Sequence, residues 1–255
     1  MTEYADHHGP EGLRTRGTIV IVPGRGETRR TYTRLGRRLA ADAYRVRVID
    51  TPDIDADDPT GSLNRFGARL AAIVEDTAAE EGVVHPVVVV AADTGATAVA
   101  AFLGRAAAPA AWHPDAVVLA GLPGHTPTDV GAWENELEVR TSCPTHRGTL
   151  TQDDEVRRGS LNDAVPDAVL REAYNGDFIA PALFLIGDAD PLADHDALAR
   201  TAKSQSRARL AVVRGAHHDV LNDLQHRSVA AEIVTFLETV RNDLVPLIGV
   251  ELSAW

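Results

Sequence analysis

One cysteine, Cys143, is all the chain holds, so it cannot close an internal disulfide and nothing in it argues for an oxidising compartment. Basic charge is scarce too: 25 Lys and Arg stand against 37 Asp and Glu, a formal net charge of −12. Such a chain is repelled by phosphate backbones and anionic membrane surfaces, which argues against a nucleic-acid partner. No apolar run approaches the roughly 20 residues that cross a bilayer. The start, Met1-Thr2-Glu3-Tyr4, has no basic-then-apolar export pattern, so a cytoplasmic protein without a membrane span is expected. After Gly24-x-Gly26 the dinucleotide fingerprint would need Gly where Arg29 stands, and no Gly-Lys-Ser/Thr follows. His217-His218-Asp219 and Asp188-Ala189-Asp190 lack any accompanying Cys/His cluster at metal spacing, so neither cofactor nor metal is expected.

What the chain does have is enough apolar residue, 44% of 255, for one large domain, with room for an inserted lid. Residues 1–16 are polar and interrupted by Gly and Pro, and read as a loose leader. Short β-branched runs at 18–22, 44–49, 87–92, 116–120, 181–186 and 210–213 read as buried strands. Between them, helical spacing recurs in Tyr32, Leu35, Leu39 and Ala40, in Leu63, Phe66, Leu70 and Ile73, and near 193–204 and 222–242. Strands alternating with helices imply a mostly parallel, doubly wound α/β sheet, with residues 17–121 and 179–243 as its core. Residues 122–178 carry charge, Pro and Gly but no buried strand, and read as a helical lid insertion. Its Arg140, Arg147, Arg157 and Arg158 read first as solvated. The tail, 244–255, carries Leu247, Ile248, Val250, Leu252 and Trp255, and is expected to dock on its own subunit or on a second one in a homodimer.

Chemistry gathers at the carboxyl ends of these strands. Val87-Val88-Val89-Val90-Ala91-Ala92-Asp93-Thr94-Gly95 reads as strand, sharp turn and helix, with Asp93 at the turn. A plain alternative makes Asp93 a helix N-cap. Asp190 follows a later strand, and His218 follows the last one. A carboxylate there can fix the tautomer of the histidine and stabilise its charged form, a role suited to Asp190, with Asp188 as local rival.

The order Asp93, Asp190, His218 and the strand–turn–helix around Asp93 resemble the α/β-hydrolase superfamily across residues 17–240, above all its monoacylglycerol-lipase-like and lysophospholipase-like members. Pro23-Gly24-Arg25-Gly26-Glu27 is similar to the family's oxyanion loop. Gly187-Asp188-Ala189-Asp190-Pro191 is similar to its acid turn, and Gly215-Ala216-His217-His218 to its histidine loop. The resemblance implies an α/β-hydrolase fold, an Asp93–His218–Asp190 triad, and oxyanion donors at the Arg25 and Thr94 amides. His218 is preferred to His217.

Three departures qualify it: Asp93 replaces the nucleophilic serine, Ala91 and Ala96 replace common glycines, and, with about sixteen residues before the first strand, the usual opening hairpin is expected to be missing. An elbow aspartate resembles haloalkane dehalogenases and soluble epoxide hydrolases. By that likeness, Asp93 would form an alkyl ester on a small-molecule substrate, and His218 would activate water to cleave it. Trp133, His146 and Tyr174 are candidate substrate contacts. A lyase, cyclase or isomerase using Asp93 and His218 as an acid–base pair, and a non-catalytic ligand-binding module, are the other readings. With two anions in reach, His218 is expected to be protonated near neutrality.

Overall fold

Five of the seven strands alternate Cβ directions between two faces that are both covered. In the computed structural model, which describes residues 4–79, 82–105, 112–177, 179–249 and 251, β1 (Tyr4–His7), β2 (Thr18–Val22), β3 (Arg45–Ile49), β4 (Val87–Ala92), β5 (Ala116–Ala120), β6 (Ala182–Gly187) and β7 (Ala208–Val213) form one sheet. Their order is β1-β3-β2-β4-β5-β6-β7. β1 pairs antiparallel with β3, and all other neighbours are parallel.

The alternation is plainest at the centre. Val20, Val22, Val87, Val89 and Ala91 point to one core with α2 (Pro59–Glu75), α3 (Asp93–Gly104), α6 (Asp167–Asn175) and α7 (His195–Ser204). Ile19, Ile21, Val88, Val90 and Ala92 point to the other, with α1 (Thr33–Ala41) and α8 (His226–Arg241). A strand buried on both faces reads as an unbroken apolar run, as these do.

Three expectations need correction. Residues 1–16 are not a loose leader throughout, because Tyr4–His7 is strand β1. Polar clamps hold it: Arg47 reaches Asp6 at 2.7 Å and Asp76 at 2.6 Å, and its guanidinium lies 3.4 Å from the centre of the Tyr4 ring. The insertion 122–178 ends earlier than expected. Val169, Leu170, Ala173 and Tyr174 of α6 join the main core, so the excursion proper holds only α4 (Trp133–Arg140), α5 (Pro144–Gln152) and a 3₁₀ turn at Ser160–Asn162. In the described part of the tail, Leu247 and Ile248 are 64% and 79% exposed and do not dock on their own subunit. Val250, Leu252 and Trp255 lie outside the described residues. Among the described residues, no helix is long and apolar enough to cross a membrane.

The packing of α3 on α6 depends on a glycine pair at the C-terminal ends of the two helices. A Cβ on Gly176 would stand 2.5 Å from the Gly104 Cα, and one on Gly104 would stand 2.7 Å from the Gly176 Cα. Neither backbone can yield cheaply. Gly176→Ala should lower unfolding free energy by about 1–3 kcal/mol, the cost of overpacking a tight contact, read from urea unfolding midpoints at unchanged m-value.

Candidate active site

Strand β4 ends at Ala92, and the next residue turns sharply: Asp93 has φ 47°, in the left-handed region that a non-glycine residue adopts only under constraint. The turn is possible because neighbouring chains pass close. A Cβ on Gly95 would lie 2.4 Å from the Pro23 carbonyl oxygen. The capping alternative does not hold. Ala92 occupies the N-cap position of α3, and the Asp93 side chain caps no helix amide.

Instead, the Asp93 carboxylate faces the loop after β2. Its Oδ2 accepts from the Arg25 amide at 2.7 Å and from Arg25 Nε at 2.9 Å, and its Oδ1 accepts from Arg25 Nη2 at 2.9 Å. His218 Nε2 lies 3.2 Å from the same Oδ1, within ion-pairing distance but without the alignment of a hydrogen bond. On its other side, His218 Nδ1 is 2.9 Å from Asp190 Oδ2, while Asp190 Oδ1 accepts from the Leu192 amide at 2.9 Å. The structure therefore brings together Asp93, Asp190, His218 and Arg25, all buried.

The local rivals go elsewhere. Asp188 is exposed and accepts from the Gly215 amide, and His217 Nδ1 pairs with Asp223 at 3.0 Å. Thr94 is the second residue of α3. Its amide lies in the first turn, where no intrahelical acceptor exists, and its hydroxyl is buried without a partner.

Each of the three candidate substrate contacts is engaged by other protein groups. Trp133 is half-buried with the Arg158 guanidinium 5.3 Å from its ring centre. Tyr174 donates to the Pro123 carbonyl at 3.0 Å and stacks obliquely on His125. His146 pairs with Asp219 at 2.8 Å.

Arg140 was expected in solvent, and this too is corrected: it is 1% exposed. It pairs with Glu136 one helical turn earlier, at 2.9 Å, lies 3.4 Å from Asp219, and donates to the Arg25 carbonyl at 2.8 Å. A Glu–Arg pair at i, i+4 is the usual pattern of a solvated helix face, which is why its burial was not legible. Glu27 completes this layer, accepting from the Gly24 amide at 2.8 Å and from the Tyr32 hydroxyl at 2.5 Å. Glu27, His146 and Asp219 each bring a donor atom within 4.8 Å of the others, a spacing a metal ion could use. The Arg140 guanidinium already supplies the positive charge there.

Electrostatics follow from this packing. Burial opposes the charge on Asp93, but the Arg25 cation and His218 outweigh it and hold the carboxyl well below its ordinary range. Burial likewise opposes protonation of His218. Asp190 first and Asp93 second overcome it, and the imidazole is pushed up to about 10, the direction expected from the sequence. Glu27 is pushed up to about 7 by burial and by the charge of Asp219. Two anions, Asp93 and Asp190, thus face two cations, Arg25 and His218, and the group is neutral as a whole.

The shortened insertion lies over this group. Arg25 Nη1 donates to the Leu161 and Asp163 carbonyls at 3.1 and 2.7 Å, and the Arg157 amide donates to the Gly26 carbonyl at 2.9 Å. The His218 amide donates to the Val139 carbonyl at 3.1 Å. Beside Arg25 is a cavity of about 100 Å³ whose walls include Pro123, His125, Leu161, Leu170 and Leu192.

A parallel sheet with one antiparallel edge, a left-handed acid at the central strand-to-helix turn, and a histidine–carboxylate pair from later loops define an α/β-hydrolase fold. The chain belongs to the hydrolase family described as serine aminopeptidase, S33, which matches residues 14–225. Solved structures agree on the fold. A soluble variant of monoglyceride lipase from Saccharomyces cerevisiae is 14% identical, with 93% of this chain and 91% of that one covered and a TM-score of 0.69. The monoacylglycerol lipase of Paleococcus ferrophilus is 17% identical, with 93% and 98% covered and a TM-score of 0.69. The enol-lactonase of Burkholderia xenovorans LB400 is 17% identical, with 92% and 95% covered and a TM-score of 0.62. No curated protein matches the chain.

Because the folded-state pKa of His218 lies above that of a free histidine, its stabilisation is complete below pH ~6.5 and is lost as pH rises through about 10. Unfolding free energy should therefore fall between pH 7 and 10, with a shallower slope in His218→Gln. NMR titration should also give His218 a lower pKa in Asp93→Asn than in the wild type.

Proposed function

We propose that the protein is a hydrolase of a small, uncharged organic substrate that opens a C–O or C–X bond at saturated carbon through an ester on Asp93. The observation that carries this reading is the placement of one carboxylate oxygen, Asp93 Oδ1, 3.2 Å from a histidine whose far nitrogen is held by Asp190 at 2.9 Å. In the first step Oδ1 bonds to the substrate carbon, and the leaving group departs with the bonding pair. Arg25 follows the charge: as Asp93 becomes a neutral ester, the guanidinium is released to the developing anion, which is the leaving-group help the lid side chains do not offer.

Alkylation removes one of the two anions that hold the proton on His218, so the imidazolium passes that proton to an alkoxide leaving group, or to solvent where the leaving group is a halide, and the neutral imidazole is a base for the second step. It takes a proton from water, the water oxygen attacks the ester carbon, and Oδ2 stays on the Arg25 amide as the oxyanion forms. Collapse breaks the bond from the ester carbon to Oδ1, which leaves on the substrate carbon as an alcohol protonated by His218, and returns Asp93 carrying one oxygen from water. The neutral balance of the four charged groups disfavours an ionic substrate. With Asp93 at 4% exposure and a cavity of only about 100 Å³ beside its partner Arg25, the insertion acts as a lid that must shift to admit anything larger than a few heavy atoms.

One observation favours a second reading, in which Asp93 forms no covalent bond. Both of its oxygens are saturated by Arg25, an arrangement suited to acid–base chemistry or to ligand binding alone. Turnover in ¹⁸O-water separates the two: the ester route places label in Asp93, detectable by peptide mass, and the second route leaves it unlabelled. His218→Gln should accumulate an adduct at Asp93 across a panel of epoxides and haloalkanes. An unmodified peptide in every case would overturn the ester route.

A further inference from the structure

Outside the Asp93 site, the 3₁₀ turn Arg29–Tyr32 and α1 meet the start of α5 around an open cavity of about 440 Å³. Arg30, Arg34, Arg37, His146, Thr149 and Asn222 are in its wall. The three arginines are four and three residues apart, a spacing that puts them on one helical face. Among the described residues no carboxylate pairs with Arg30 or Arg37, in a chain that carries a net charge of −12. Arg34 is held by neutral acceptors: Nη1 is 3.5 Å from Cys143 Sγ, and Nη2 donates to the Asn222 carbonyl. The cavity thus presents the charge of Arg30 and Arg37 with no carboxylate of the described residues paired to it.

We propose that this cavity is a binding site for the phosphoryl group of a small phosphorylated molecule. Guanidinium forks match phosphate oxygens two at a time, and those of Arg30 and Arg37, with the charge of Arg34 between them, suit a multiply charged anion better than a single carboxylate. The first turn of α5 adds positive potential from the helix end. Nearby histidines register the same field. Burial and then Arg37 lower the pKa of His7, and burial and then Arg34 lower that of His226. The site stands apart from the chemistry of Asp93 and does not depend on it.

Calorimetric titration of the full chain with inorganic pyrophosphate at low ionic strength tests the assignment, with acetate as the comparison. Saturable binding of pyrophosphate, far tighter than of acetate, is expected. Arg30→Gln with Arg37→Gln should weaken it by ~10-fold or more, the loss of charge-assisted hydrogen bonds. Both side chains are exposed, so the double variant should keep the wild-type thermal midpoint. Thr149→Asp, which puts an anion in the wall, should abolish binding. Arg209→Gln, whose arginine pairs with Glu232 on another face, and Asp93→Asn should bind as the wild type does. No heat at millimolar pyrophosphate, acetate binding as tightly, or unchanged affinity in the double arginine variant would each overturn the proposal.

Discussion

The ion pair between Arg25 and Asp93 organises this protein. A carboxylate enclosed at the end of a buried strand is costly unless a cation and hydrogen-bond donors meet it, and Arg25 provides both from one residue: its amide, Nε and Nη2. The guanidinium that does this is itself buried and must be satisfied on its remaining edge. The insertion does that with the carbonyls of Leu161 and Asp163. Behind Arg25, Arg140 holds its carbonyl, and Glu136 and Asp219 balance Arg140. Each charge calls for the next, so the loop after β2, the elbow, α4 and the histidine loop form one electrostatic unit.

That unit also explains why a serine-type mechanism does not transfer to this chain. In the resemblance the Arg25 amide is an oxyanion donor, open to substrate. Here Asp93 Oδ2 occupies it at 2.7 Å in the resting state. The aspartate is thus more than one side chain exchanged in an unchanged site. It fills the position that the resemblance gives to an external oxyanion, so in the proposed route the oxyanion forms on an oxygen of Asp93 itself.

Much of this was legible in the sequence, and for definite reasons. Unbroken apolar runs such as Val87–Ala92 arise only where both faces of a strand are covered, and the alternating helices fix parallel pairing. The order of Asp93, Asp190 and His218 carried their meeting, because each follows a strand at the same edge. What escaped was held by polar contacts between distant segments. Tyr4–His7 has no apolar stripe, and its place depends on Arg47, some forty residues away. Glu136 and Arg140 look like any solvated pair until Asp219 and the Arg25 carbonyl are placed beside them. The boundary of the insertion was misjudged because α6 is amphipathic in the same register as the helices of the core, with Val169, Leu170, Ala173 and Tyr174 on one side. Pattern reveals burial of apolar faces, whereas long-range ion pairs leave no period to read.

The contacts from Arg25 to the insertion end on main-chain carbonyls at residues 161 and 163, not on side chains. Every amino acid supplies that acceptor. Substitutions at these two positions can accumulate by drift, reshaping the wall of the neighbouring cavity, while the fastening to Arg25 stays in place. The cover of this site is therefore free to diversify in shape among descendants of the chain without loosening its hold on the buried charge beneath it.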